Sequence, residues 1–386
     1  MEATWWTRPE DLDDEQKAVV ALDKDGSFLV CGPPGCGKTN LLLLRAGYLY
    51  RIKRRNFVVL TYGRVLKEFL ATGAVHYPFE ADRISTYAAW GTNLSRSYGL
   101  PVPHTTDEPQ LRAAVLENLK SLVQSNNFSR FDCLLVDEAQ DYSSEELDMV
   151  FALAKQVFLV GDSRQEIYRS TDSLTHAKTL VDSFIDLTIH YRNGIKICRV
   201  ADSIVDELDS PNGLEATSQY DEDEYQSSVV LNQASPIVEQ VALAVTEISN
   251  QLIAYPTGFI GVMCPRNVDL DEVFKLLGVS VISEHVQLQK FSEGYTPFDP
   301  ARRVILTTLH GAKGLEFRAV HMLAADSITC FGERTRRVAY TAVTRAKTYL
   351  AMYRARALPG FLERAVLAAD EESTAEPALS DLFVGK

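Results

Sequence analysis

The sequence predicts an α/β protein built on two parallel sheets, and three observations carry that expectation. Short apolar runs alternate with helical patterns along most of the chain. One run, Phe28-Leu29-Val30-Cys31, leads through a glycine-rich loop into Asn40-Leu41-Leu42-Leu43-Leu44, which reads as a helix. A length of 386 residues suits two domains, or three, at roughly 100–200 residues each.

In chain order, the strands expected in the first half are 28–31, 57–61, 133–136 and 157–160. The second half offers 187–190, 259–264, 304–308 and 320–324, with helices at 238–253 and 270–277. Residues 171–186 carry the chain across, which places a domain boundary near Ser183. The expected organisation is a domain over 1–183 with a short insertion at 91–130, a second over 184–365, and an acidic flexible tail at 366–386. Residues 206–228, centred on Asp221-Glu222-Asp223-Glu224, read as a solvated acidic loop. No internal sequence repeat is visible.

Composition narrows the class. Hydrophobic residues make up 46%, ample for buried cores. No apolar run approaches the roughly 18 residues that span a bilayer, and the start is polar and acidic, unlike a signal peptide. A cytoplasmic protein is expected. The six cysteines stand singly, which argues against a metal centre and further against a disulfide framework. A net charge of −13 argues against wrapping duplex nucleic acid broadly but leaves room for a narrow basic groove. Its candidates are Arg51 with Lys53, Arg54 and Arg55; Arg302 with Arg303; and Arg334 with Arg336 and Arg337. Each is equally readable as a solvated surface cluster.

Gly32-Pro33-Pro34-Gly35-Cys36-Gly37-Lys38-Thr39, with Asn40 opening the helix, is the pattern of a phosphate-binding loop. Its glycines let backbone N–H groups curl around phosphates, and the helix N-terminus adds partial positive charge. Lys38 would reach the β- and γ-phosphates of a nucleoside triphosphate, and Thr39 would hold Mg²⁺ through its hydroxyl. Leu134-Leu135-Val136 ends in two acids; Asp137 would complete the Mg²⁺ shell and Glu138 would polarise the attacking water. Gln165, after a further apolar strand, suits a sensor of the γ-phosphate. Arg192 and Arg345, from the second half, would stabilise charge on the transferred phosphoryl group.

Together these blocks resemble the UvrD/Rep/PcrA-type branch of superfamily 1 helicases, in the family's order, over roughly residues 12–352. The resemblance implies two RecA-like P-loop NTPase domains with ATP and Mg²⁺ in the cleft between them. Gln16 matches the adenine-reading glutamine, and Val136-Asp137-Glu138-Ala139-Gln140-Asp141 and Gly161-Asp162-Ser163-Arg164-Gln165 match the second and third blocks. In His190-Tyr191-Arg192-Asn193 the resemblance puts Tyr191 on adenine and Arg192 at the γ-phosphate. Thr308-Leu309-His310-Gly311-Ala312-Lys313-Gly314-Leu315-Glu316 is the most diagnostic block, with Glu316 expected near the ribose. Tyr340-Thr341-Ala342-Val343-Thr344-Arg345 supplies the second arginine. Another branch, many of whose members act on RNA with opposite polarity, lacks the Lys-Gly-Leu-Glu core of the fifth block. The resemblance therefore implies 3′ to 5′ movement on single-stranded DNA, with RNA as the alternative.

Departures from the family pattern fall on the nucleic-acid side. The family's tryptophan after the third block is missing, since Tyr168 is followed by Arg169-Ser170-Thr171. Base stacking contributes about 1–3 kcal/mol per base, so losing a platform should weaken grip or coupling. Candidate nucleic-acid contacts are Tyr62, Arg64, Trp90, Tyr168 and His310, with packing an equal reading for Tyr62 and Tyr168, the leading reading for Trp90, and a plain surface position an equal reading for Arg64. The room for accessory domains shrinks to 91–130 and about 286–303, which favours translocation over strong unwinding. Ala378-Leu379-Ser380-Asp381-Leu382-Phe383 faintly resembles peptides that dock on a sliding clamp. The rival function is a nucleotide-responsive switch that regulates a protein partner such as a nuclease. A small-molecule P-loop kinase ranks third, because it leaves the paired arginines of the second half unexplained.

Overall fold

The computed structural model describes residues 9–73, 76–105, 107–126, 128–162, 173–290, 298–328 and 333–370. Six strands form the first sheet: β1 (Phe28–Cys31), β2 (Phe57–Thr61), β3 (Ile84–Thr86), β4 (Cys133–Val136), β5 (Val157–Gly161) and β6 (Ser183–Asp186). Their order is β3-β2-β4-β5-β1-β6. The second sheet holds β7 (Ser228–Gln233), β8 (Ile260–Cys264), β9 (Val286–Gln289), β10 (Val304–Thr308), β11 (Phe317–Met322) and β12 (Ala346–Arg354). It runs β7-β12-β11-β8-β10-β9. Every pairing in both sheets is parallel. The architecture is that of two RecA-like domains.

Parallel sheets must be covered on both faces, which is why β4 and β5 are apolar throughout rather than alternating. In the first half the helices are α1 (Asp14–Val20), α2 (Lys38–Arg51), α3 (Arg64–Gly73), α4 (Tyr87–Ser97), α5 (Glu108–Ser125), α6 (Ser144–Leu153) and α7 (Ser173–Leu180). Phe28 and Val30 share a core with Leu41, Leu42 and Leu49 of α2, whereas Leu29 turns to the other face. There it joins Trp90 of α4, Val115 and Leu119 of α5 and Leu147 of α6. The core on the α2 face also takes in Leu309, Leu315, Phe317 and Met322 from the second half. The two domains therefore share one continuous apolar seam. At that seam the ring of Phe69 in α3 meets Phe259 and Phe298 edge-on, with centroids 6.2 and 5.9 Å away.

Several expectations are corrected. Residues 187–190 are not a strand; the sixth strand of the first sheet is β6, pairing Ser183 with Phe28 and Asp186 with Cys31. It is an edge strand with Ser183, Phe184 and Asp186 exposed, so apolarity did not mark it. The chain consequently leaves the first sheet after Asp186, not at Ser183. The short insertion expected at 91–130 carries α5, which packs through Val115, Leu119 and Leu122 into the first domain's own core.

The segment 206–228 is docked rather than solvated. Glu222 accepts from Ile195 N at 2.6 Å at the start of α8 (Ile195–Ile204) and from Ser227 N at 2.6 Å. Tyr220 OH meets Thr348 Oγ1 at 2.7 Å. Acidic side chains placed at helix N-termini satisfy orphan N–H groups, and Glu222 does so for α8. Residues 366–370 are likewise no tail. Helix Gly360–Ala368 buries Ala365 and Ala368 against α8, and Lys196 Nζ pairs with Asp370 at 2.5 Å. The clamp-like 378–383 lies outside the described residues. Among the described residues no helix is long and apolar enough to cross a membrane.

Candidate nucleotide site

Ligands of open parallel sheets bind beyond the carboxyl ends of the strands, and β4, β5 and β1 are neighbours there. The loop after β1 turns on Gly35 and Gly37, whose φ values of 82° and 87° are left-handed. A Cβ on Gly35 would lie 2.4 Å from Cβ of Arg192, so that glycine is what lets the second half settle on the loop. Lys38 Nζ donates to Gly32 O and Pro33 O, both at 2.8 Å, and is held inside the loop it would serve from. Thr39 Oγ1 donates to Asp137 Oδ2 at 3.0 Å.

Asp137, at the end of β4, is only 2% exposed. Burial, and then the neighbouring Glu138, push its carboxyl up to about 7, against the Thr39 hydrogen bond. Two hard oxygen donors side by side, one of them a buried carboxylate, fit Mg²⁺. Among the described residues no group of three or more His, Cys, Asp and Glu forms a separate metal cluster.

Glu138 has a φ of 53°, a left-handed conformation that non-glycine residues seldom adopt away from functional turns. The turn aims its carboxylate at Gln140, whose Nε2 donates to Oε2 at 2.5 Å while its Oε1 accepts from Asp162 N at 3.0 Å. Burial alone would raise the Glu138 carboxyl. Lys313, Arg345 and Lys38 outweigh that and hold it below the usual range.

The second half closes the cleft. Arg192 donates to Glu316 Oε1, and Lys347 Nζ sits 2.8 Å from Glu316 Oε2. Burial opposes ionisation of Glu316, but Arg192 and then Lys347 pull it down to about 2. Glu316, expected near the ribose, is thus engaged by two cations. Arg345 is 2% exposed and is aimed by bonds from Nε to Thr341 O at 3.0 Å and from Nη1 to Leu315 O at 3.3 Å. Burial, with Arg192 next, lowers its guanidinium to about 10. Asn193 Nδ2 ties this region together through Thr344 O and Ala346 O, at 3.0 and 2.6 Å.

At the loop's outer end, Gln16 Nε2 donates to Cys36 O at 3.1 Å, and Asp13 and Gln16 form a capping box on α1. Tyr191 OH donates to Asp13 Oδ2 at 2.5 Å, and its own N–H reaches Gly35 O at 3.2 Å. Gln16 and Tyr191 therefore flank one mouth of the cleft. The cleft wall includes Gly35, Lys38, Thr39, Asp137, Glu138, Arg192, Glu316 and Arg345. Its cavity volume of ≈ 40 Å³ has room for a few waters.

Gln165 and Tyr168 lie outside the described residues. The other expected nucleotide-site residues converge on the cleft or line the loop beside it. The expected nucleic-acid contacts do not behave as a set. Arg64, at the start of α3, and His310 are exposed. Tyr62 is half-buried, with the Arg112 guanidinium 4.5 Å from its ring centroid. Of the two readings of Trp90, packing holds and the nucleic-acid contact does not: it is 6% exposed and packs on Tyr87 and Phe131, both at 5.9 Å, so its face is closed to a base. Sequence reasoning passed over Gln140, Asp141, Asn193, Lys313 and Lys347 as site residues. All five sit inside or beside quoted blocks, but only the folded contacts separate them from their neighbours.

Two family models match parts of the chain. Residues 15–171 match the model of an AAA domain, and residues 303–353 match that of a UvrD-like helicase C-terminal domain. No curated protein sequence matches the chain. A solved structure titled "The structure of PRRSV helicase" is similar at 12% identity and a TM-score of 0.42, over 88% of this chain. The chain spans 54% of that protein's length. The nucleotide loop, the paired acids and the two arginines stand in one cleft, and the two matched domains hold that cleft between them. With a UvrD-like helicase C-terminal domain at 303–353 behind an AAA domain at 15–171, the chain is similar to the UvrD-like superfamily 1 helicases.

Proposed function

We propose that this chain hydrolyses ATP in the interdomain cleft and uses the cycle to move along single-stranded DNA, 3′ to 5′, with RNA as the alternative track. The observation that carries the reading is the meeting of Lys38, Thr39, Asp137 and Glu138 with Arg192 and Arg345 in one cleft. Thr39 and Asp137 would hold Mg²⁺, which when bound neutralises charge on the phosphates. Lys38 would exchange its loop carbonyls for phosphate oxygens. Glu138, kept ionised by Lys313, Arg345 and Lys38 and oriented by Gln140, would take a proton from the attacking water. Arg192 and Arg345 would stabilise the transferred phosphoryl group; arginines supplied this way contribute about 10³–10⁵ in rate in related chemistry. Because they come from the other half, that stabilisation exists only when the cleft is shut. Alternating closure and opening would then step the two halves along the strand.

The test is ATP hydrolysis with single-stranded DNA of increasing length, beside Lys38→Ala and Arg345→Ala. A rate that climbs with length and drops by about 100-fold or more in both variants is expected. A rate indifferent to DNA and RNA would instead favour a nucleotide-responsive switch acting on a protein partner, the reading that buried Trp90 favours.

A further inference from the structure

Lys313 leaves the loop between β10 and β11 and enters the first half of the molecule. Its Nζ donates to Asp141 Oδ1 at 2.7 Å. Both side chains are buried, at 7% and 0% exposure. This ion pair joins residues 9–186 to residues 187–370. Asp141 ends the 3₁₀ turn Ala139–Asp141, which begins immediately after Glu138. Gln140, in the middle of that turn, holds Glu138 on one side and Asp162 N on the other. One short turn therefore touches the proposed water-activating carboxylate, the end of β5 and, through Lys313, the opposite domain.

The loop is pressed into place one residue later. Gly314 has a φ of 81°, and a Cβ there would lie 2.8 Å from Leu66 Cδ2 of α3. Lys313 is thus delivered to Asp141 only when the second half is seated on α3. The pair itself is built to be reversible. A lysine is a point charge on a flexible stem, without the fork that fixes an arginine. Asp141 Oδ2 has no hydrogen-bond partner among the described residues, so a single bond makes the connection.

We propose that Lys313 is a positioning residue: its pairing with Asp141 forms as the domains close and draws the Glu138 turn into register for hydrolysis. Closure and water activation become one event. This rests on reading the cleft as an ATPase site, so the test separates the two ideas by adding a readout that needs no hydrolysis. Lys313→Met, Lys313→Arg, Asp141→Asn and the double variant Lys313→Met/Asp141→Asn are compared with wild type in the full chain. Steady-state ATP hydrolysis is measured at saturating single-stranded DNA. Closure on a non-hydrolysable ATP analogue is followed by energy transfer between dyes at exposed Tyr98 and Ile253, one in each half.

The expected result for Lys313→Met is a kcat loss of about 30–100-fold with KM for ATP within about threefold, and a smaller transfer change on closure. Lys313→Arg should restore most of both. The double variant should be no worse than the worse single, because the two residues act as a unit. Asp141→Asn is isosteric and carries the test if Lys313→Met does not fold. Unchanged kcat and closure in Asp141→Asn would overturn the proposal, as would fully additive losses in the double variant. A wild-type protein that closes but never hydrolyses would sink the ATPase reading, and the transfer signal would still judge the latch.

Discussion

Arg112 and Glu146 meet inside the first domain through two hydrogen bonds, at 2.9 and 2.8 Å; Lys313 and Asp141 meet across the cleft through one. Both pairs are almost fully buried. The first is saturated. Glu146 also accepts from Ser143 N at 2.8 Å, and the Arg112 guanidinium lies 4.5, 5.0 and 5.3 Å from the ring centroids of Tyr62, Tyr87 and Tyr142. The second leaves a carboxylate oxygen without a partner. Removing two charges from water is repaid only by good geometry and completed hydrogen bonds. A forked, stacked pair is suited to a joint that stays shut, and a single flexible bond to a joint that opens.

The sharpest way to break that comparison is to remove the cation from each. Arg112→Met should cost about 3–5 kcal/mol of stability, because Glu146 is then a buried charge without a partner. Arg112→Lys should recover little of it, lacking the fork and the flat face. Lys313→Met should cost only about 1 kcal/mol, since parting the cleft rehydrates Asp141. Urea titrations of the three variants decide this. Equal losses for Arg112→Met and Lys313→Met would remove the distinction between scaffold and latch.

A pH series comes next in size. Burial pushes the Asp141 carboxyl up to about 6, with Lys313 pulling the other way. The unfolded value is about 3.9, so between the two the folded protein binds the extra proton. Stability from this group is therefore fully present below about 4 and lost as pH rises through about 6. Asp141→Asn has no such proton to lose. Its stability relative to wild type should improve from pH 5 to pH 8 by about 1.4 kcal/mol. Parallel melting curves for the two proteins would refute the assignment.

The smallest effects concern the strand-facing side chains. Trp90→Phe should leave single-stranded DNA affinity within about twofold, because the ring packs on Tyr87 and Phe131. Arg64→Ala should weaken binding and flatten its salt dependence by about one charge. Fluorescence anisotropy at several salt concentrations reads both. The opposite ranking would mean that the first domain opens around α4.

The nucleotide loop, the paired acids and both arginines were readable because each requires particular residue types at fixed offsets, whatever surrounds them. Seven of the eight expected strands were found at or within a few residues of their places for a similar reason: a strand buried on both faces has to be apolar throughout. Edge strands escape that rule. β6 is largely exposed, and β3, with only Ile84, Ser85 and Thr86, is too short to show a pattern. Pairings between distant residues leave no local mark either. Arg112 is 34 residues from Glu146, and Lys313 is 172 from Asp141. Trp90 shows the converse failure, since an aromatic in a family block reads the same whether it faces a base or Phe131.

One arrangement reaches beyond the site. The first domain contributes its groups from the carboxyl ends of β1 and β4, but Glu316 and Arg345 immediately precede β11 and β12. The cleft is therefore a heterologous contact, the leading edge of one sheet set against the trailing edge of the other, as in successive links of a filament. Such a contact has no two-fold axis. Among the described residues two similarly built sheets set this way frame one such cleft between them, and its opening or closing would not be a symmetrical breathing. On the proposed cycle, each closure would displace one lobe along a vector fixed by chain order, and the direction of any movement would be inherited from the way the lobes are stacked.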